Sequence, residues 1–119
     1  MTAFVPEMPL LLQAAADYLE RELLPTLEGY HRFHSRVCVN TLRIVQRQIE
    51  QGAALEDAEV GRLRQLLESD GSAASLNEKL MDRLESGSLS LEADGLVDHL
   101  KATLFDALRI NSPGWVAET

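Results

Sequence analysis

A single cysteine, Cys38, occurs in this chain. That rules out an internal disulfide framework and any zinc site built from several thiolates. Cysteine usage this sparse suits a reducing cytoplasm, which is the compartment expected from the sequence. Aromatic residues are also scarce, at 5%. Because sheets recruit aromatic and β-branched side chains whereas Leu and Ala favour helices, the bias is towards an all-helical fold. Nothing approaches the roughly 18 to 20 continuous apolar residues of a membrane span. The start, MTAFVPEMPLLLQAAADYLERELL, has no basic stretch ahead of its apolar one and acquires acids by Glu7 and Asp17. Neither a signal peptide nor a membrane segment is expected.

Excess basic charge is missing as well. The formal net charge is −8 over 119 residues, which argues against nucleic acid as a partner. The charge is unevenly spread. Residues 30–49 hold Arg32, Arg36, Arg43 and Arg47 with no acid, a local +4 that leaves −12 for the rest. Such a segment either neutralises acidic neighbours or receives an anion.

At this length, with 45% apolar and 25% charged residues, the chain reads as one helical domain over 1–119, with tails at 1–8 and 112–119. Five helical segments are expected, joined by short loops into a compact bundle. The first runs from Pro9 to about Leu24, with Leu12, Ala15, Ala16, Leu19, Leu23 and Leu24 as its stripe and Pro25 as its stop. The second runs from about Leu27 or Tyr30 to Gln51, ended by Gly52. Its spacing assigns Tyr30, Phe33, Val37, Thr41, Ile44, Val45 and Gln48 to the core, and puts Arg32, Arg43 and Glu50 outside. A third covers LEDAEVGRLRQLLESDG, burying Leu55, Val60, Leu63, Leu66 and Leu67, where Gly61 suggests close packing. Ser75 and Glu78 form a capping box for the fourth, which carries Leu76, Leu80, Met81 and Leu84. The last runs from about Glu92 or Asp94 to Ile110. Its buried row is Leu96, Leu100, Leu104 and Leu108, and Trp115 is expected to fold the tail back.

The chemistry-bearing residues concentrate in YHRFHSRVCVN, residues 30–40. Glu28, His31 and His34 make an E-x-x-H-x-x-H spacing, similar to half of a two-metal site in a helical bundle. The second Glu-x-x-His is absent, since Leu96 stands three before His99, so no metal site is assigned. Cys38 and His34 form an i, i+4 pair close enough for thiolate activation, but a small buried hydrophobe is the commoner role of a lone cysteine. No G-x-S-x-G, phosphate-binding glycine loop, H-E-x-x-H or dinucleotide fingerprint occurs. No catalytic residue and no cofactor are assigned. The binding candidates are His34, Arg36, Asn40, Arg43 and Arg47, where Arg36, Asn40 and Arg47 line one flank of the second helix and Arg43 lies further round. Either Arg36 and Arg47 pair with acids of adjacent helices, among them Glu20, Glu22, Asp98 and Asp106, and Asn40 fixes a bundle contact, or the flank receives a carboxylate or phosphate.

The stretches LLPTLEGYHRFHSRVCVNTLRIVQRQIE and DHLKATLFDALRINSPGW resemble a family of bacterial all-helical domains of unknown function. Pro25, Gly29, Phe33, His34, Arg36, Val37, Asn40, Leu42 and Ile44 fit its pattern. The chain departs from it at Arg47-Gln48, where the pattern has Arg-Glu, and at Asn111-Ser112-Pro113, where it has an adjacent Asn-Pro. The resemblance implies genes that accompany acyl-CoA dehydrogenases and phosphotransferase-like kinases, and hence a place near acyl-CoA metabolism. Three roles stay open. The leading one is a non-catalytic accessory module with a protein partner. The second is a binder of an anionic small molecule, or an enzyme acting on one, with His34 moving a proton. The third is a homodimeric scaffold.

Overall fold

The computed structural model describes residues 6–117, and within them every regular element is helical. Of the two expected tails, residues 1–5 and 118–119 lie outside the described residues. Helix α1 spans Met8–Tyr18 and opens with Pro9 in its first turn, where a missing amide costs nothing. The chain then widens into a π turn, Leu19–Leu23, in which the Leu24 amide reaches back to the Leu19 carbonyl. A 3-10 turn, Leu24–Thr26, follows. Pro25 is the cause: an α turn would press its ring on the carbonyl four residues earlier, and a widened turn gives it room.

Helix α2 spans Gly29–Leu67, thirty-nine residues. The second and third expected helices are therefore one. Gly52 lies in the helix interior and does not end it. Gly61 is exposed, and a methyl group there would meet nothing within 4 Å, so close packing is not its reason. Gly29 itself has φ +60°, the left-handed region that favours glycine, and Glu28 falls before the helix. At the far end Glu68 takes φ 51°, and the Ser69 amide bonds to the Arg64 carbonyl at 3.4 Å. Arg83 Nη1 donates to the Leu67 carbonyl at 2.9 Å, satisfying one of the orphan acceptors of a helix C-terminus.

Helix α3 spans Ala73–Ser86. Its cap is Ser72, whose Oγ accepts from the Ser75 amide at 3.2 Å, so the expected Ser75–Glu78 box is displaced by one turn. Gly87, at φ 78°, ends it. Helix α4 spans Leu96–Asn111, and a short α5 spans Pro113–Ala117 within the expected tail. The five α-helices among the described residues match the expected number, but by fusion of two and addition of one. Trp115 remains exposed and does not cover the body.

The chain divides into two compact units, residues 1–52 and 53–119, and α2 contributes to both. In the second unit Leu63, Leu67, Leu76, Leu80 and Leu96 form the core, with Val60, Leu66, Leu84, Leu89 and Ala93 packed against them. In the first, Ala16, Leu24 and Val39 are the buried apolar residues.

Because Gly52 is interior to α2, Gly52→Ala should raise stability by about 0.5–1 kcal/mol, since only the flexible Gln48 side chain has to move. Were the glycine a left-handed helix terminator, the sign would reverse; urea titration followed by circular dichroism decides. Leu63→Ala, at a fully buried position, should cost about 2–5 kcal/mol in the same assay.

Candidate functional site

Residues 30–49 of α2 turn the opposite way to the expectation. Val39 is 2% exposed, whereas Tyr30, Phe33 and Val37 are 71%, 64% and 45% exposed. Val45 and Ile49 are exposed too. Of the stripe chosen for the core, Tyr30, Phe33, Val37, Thr41, Val45 and Gln48 thus face solvent, Ile44 is half-buried, and the edge bearing Arg43 faces α1. The reason is carboxylates. Arg43 Nη2 lies 2.9 Å from Asp17 Oδ1 and 3.2 Å from Glu20 Oε1. These pairs raise the Arg43 pKa, chiefly through the hydrogen bond to Asp17, with partial burial opposing. Arg43 was expected outside; it is the residue that binds α2 to the acidic edge of α1 and the π turn.

The other sequence candidates scatter. His34 is exposed and stacks in a tilted contact with Tyr30, ring centroids 4.1 Å apart, while Phe33 meets it edge-on at 5.2 Å. Arg36 and Asn40 are exposed, so the Asn40 amide needs no protein partner: water serves it. Arg47 is half-buried. Cys38 is an exposed free thiol and not a buried hydrophobe. Arg32 donates to the Leu27 carbonyl at 3.4 Å. Among the described residues no group of three His, Cys, Asp or Glu side chains is placed to hold a metal ion. At its far end the stripe's Ile49 borders a groove of about 580 Å3 with Met8, Pro9 and Leu11, edged by Glu7 and Glu50.

A second polar cluster, in residues 53–119, was not anticipated. His99 is buried on α4, and Arg62 Nε of α2 donates to its Nδ1 at 3.0 Å. The neutral ring therefore carries its proton on Nε2. Arg62 Nη2 also donates to Thr103 Oγ1 at 3.2 Å and lies 3.8 Å from Asp106 Oδ2. Asp106 Oδ1 in turn accepts from Arg109 at 3.0 Å. His99, Thr103 and Asp106 follow the i, i+4, i+7 spacing of one helix face, which is the signal the sequence held. It was obscured by the neighbouring leucines: Leu96 is buried, but Leu100 and Leu104 of the expected row are exposed, as is Val97. In α4, as in α2, an apolar face looks outward. A groove of about 410 Å3 beside His99 is lined by Gln65, Leu66, Asp94, Asp98 and Ala102.

Burial lowers the His99 pKa from the ordinary histidine value, the Arg62 charge lowers it further, and Glu59 partly opposes them. The ring also has no acceptor at Nδ1 to offer Arg62 once protonated. The cluster is built for a neutral imidazole.

The geometry is that of an all-helical protein with outward apolar faces. The chain belongs to a family described as a domain of unknown function (DUF6285), which matches residues 25–115. No curated protein and no solved structure matches it.

The histidine has a pH consequence. Its folded pKa lies below the unfolded value of about 6.5, so the unfolded chain binds the proton more readily. The stability His99 contributes is complete above about pH 6.5 and is lost as pH falls towards the depressed folded value. Urea titrations at successive pH values should show this decline in the native chain and a weaker one in His99→Gln, which cannot be protonated. Equal acid limbs in both would contradict it.

Proposed function

We propose that this protein is a non-catalytic interaction module, an accessory subunit that docks on a larger enzyme through the outward face of α2 between Tyr30 and Ile49. The observation that carries this reading is the exposure of a stripe whose spacing is that of a buried one. A periodic row of Tyr30, Phe33, Val37, Val45 and Ile49 in water is the kind of contiguous apolar surface that folded chains keep for partners. Helical partners are recognised by such rows at spacings of three and four. The gene company implied by the family resemblance supports an acyl-CoA-metabolising or kinase-like enzyme as the partner.

Binding of a small anion through the arginine flank has less in its favour. The Arg43 guanidinium is already engaged by two carboxylates at 2.9 and 3.2 Å, and an anion placed there would have to displace both. Exposed Arg36 and Asn40 offer donors in full contact with water, where a single charge–charge contact contributes little.

The test is co-expression with a neighbouring acyl-CoA dehydrogenase or phosphotransferase-like kinase. The native chain should co-purify with one of them, and the double variant Phe33→Asp, Val37→Asp should not. Because both side chains are largely exposed, that variant should unfold within about 1 kcal/mol of the native chain. A native chain that purifies alone in both co-expressions rejects the proposal.

A further inference from the structure

We infer that the occupant of the α2 stripe is an amphipathic helix of the partner, about five turns long, whose edge is lined with carboxylates. The inference rests on the interaction-module reading and adds the chemistry of the partner. The stripe is straight helix over the twenty residues 30–49, a run of about 28 Å at 1.5 Å per residue. Its apolar members recur on a helical period, which another helix meets ridge into groove. At one end Tyr30, Phe33 and His34 already pack ring on ring, so an aromatic anchor of the kind that dominates interfaces stands assembled before binding. At the other end Ile49 opens on the apolar groove with Met8, Pro9 and Leu11.

Charge selects among the occupants. No carboxylate occurs between Tyr30 and Ile49, and acids resume only at Glu50. Arg36 lies about 100° round the helix from Val37, the flanking position from which a side chain reaches the edge of a docked helix. It is exposed, and its guanidinium suits a carboxylate. A second copy of the chain, laid stripe on stripe and antiparallel, would set this basic edge against itself, and like charges there repel. An anionic lipid surface would attract Arg32 and Arg36, at about 1 kcal/mol each, but would face −12 carried by the rest of the chain. A glutamate-edged helix avoids the first, and it reduces the second because it meets only the acid-free segment while charges beyond about 8–10 Å are screened.

The experiment uses the full chain and two labelled twenty-residue helical peptides with the same leucine stripe, one edged with glutamate and one with lysine, read by fluorescence anisotropy. The glutamate peptide should bind about threefold more tightly, the size of one exposed ion pair at Arg36, with the preference shrinking as salt rises. Arg36→Glu should abolish that preference or reverse it, and Phe33→Asp should abolish binding of both. Equal affinity for the two peptides, binding of neither, or binding indifferent to Phe33→Asp overturns the inference. So does uptake by phosphatidylglycerol vesicles in place of the peptide, or a concentration-dependent dimer that Phe33→Asp dissolves. The two proposals fail separately. An enzyme that still co-purifies with the Phe33→Asp, Val37→Asp variant removes this face but leaves the accessory role. A glutamate peptide that binds while no enzyme co-purifies does the reverse.

Discussion

The rotational setting of α2 over residues 30–49 depends on two carboxylates that need a cation. Asp17 and Glu20 lie on the edge of α1 and the following π turn that meets α2, and Arg43 answers both. Individually such half-exposed pairs contribute about 0.2–1 kcal/mol, far less than burying several large apolar side chains at about 1.5–3 kcal/mol each. The ion pairs therefore do not outweigh the stripe by their own strength. What decides is the alternative: half a turn of α2 would bring Tyr30, Phe33 and Val37 against the carboxylates and strip these of their counter-charge. A carboxylate covered without a counter-charge is costly, and the observed setting of α2 avoids that cost. The acidic edge accepts a basic one, and the apolar stripe is left for something outside the chain.

The same inversion recurs in α4 by a different route. Arg62 of α2 draws His99, Thr103 and Asp106 inward through hydrogen bonds and a longer ionic contact. The inner face of α4 therefore mixes Leu96 and Ile110 with His99 and the half-buried Thr103 and Asp106, while Leu100 and Leu104 of the expected row stay in water. In both helices an arginine on α2 organises the inner face, and a row of aliphatic or aromatic residues becomes surface. Many large apolar residues lie outside the buried set, and those of α2 and α4 recur in rows on one helix face.

Fold class was legible because composition and spacing both speak for helices at every segment. The stretches whose apolar residues do meet the core, Leu63 to Leu67 and Leu76 to Leu80, were also read correctly. What periodicity does not carry is phase relative to neighbours. It finds the apolar arc of α2 and α4 but assumes that the arc points inward, an assumption that fails where a buried counter-ion or hydrogen-bond network competes. Gly52 misled for a related reason. A glycine's cost of about 1 kcal/mol lowers helix stability without ending a helix that lacks a turn after it. Of the site candidates, His34, Arg36 and Asn40 share an exposed surface of one helix. Arg43 was placed on the wrong side, and the His99–Arg62 cluster was hidden because its partners lie thirty-seven residues apart.

The outward setting of the α2 stripe is the claim on which the functional reading stands, and thiol labelling measures it directly. In a Cys38→Ser background, single cysteines at positions 33 and 39 would be reacted with a neutral maleimide under native conditions and again in urea. Phe33→Cys should label in the native state at nearly its unfolded rate, while Val39→Cys should be slowed about tenfold or more. Protection at position 33 with free reaction at position 39 would show the helix turned the other way and would contradict the account.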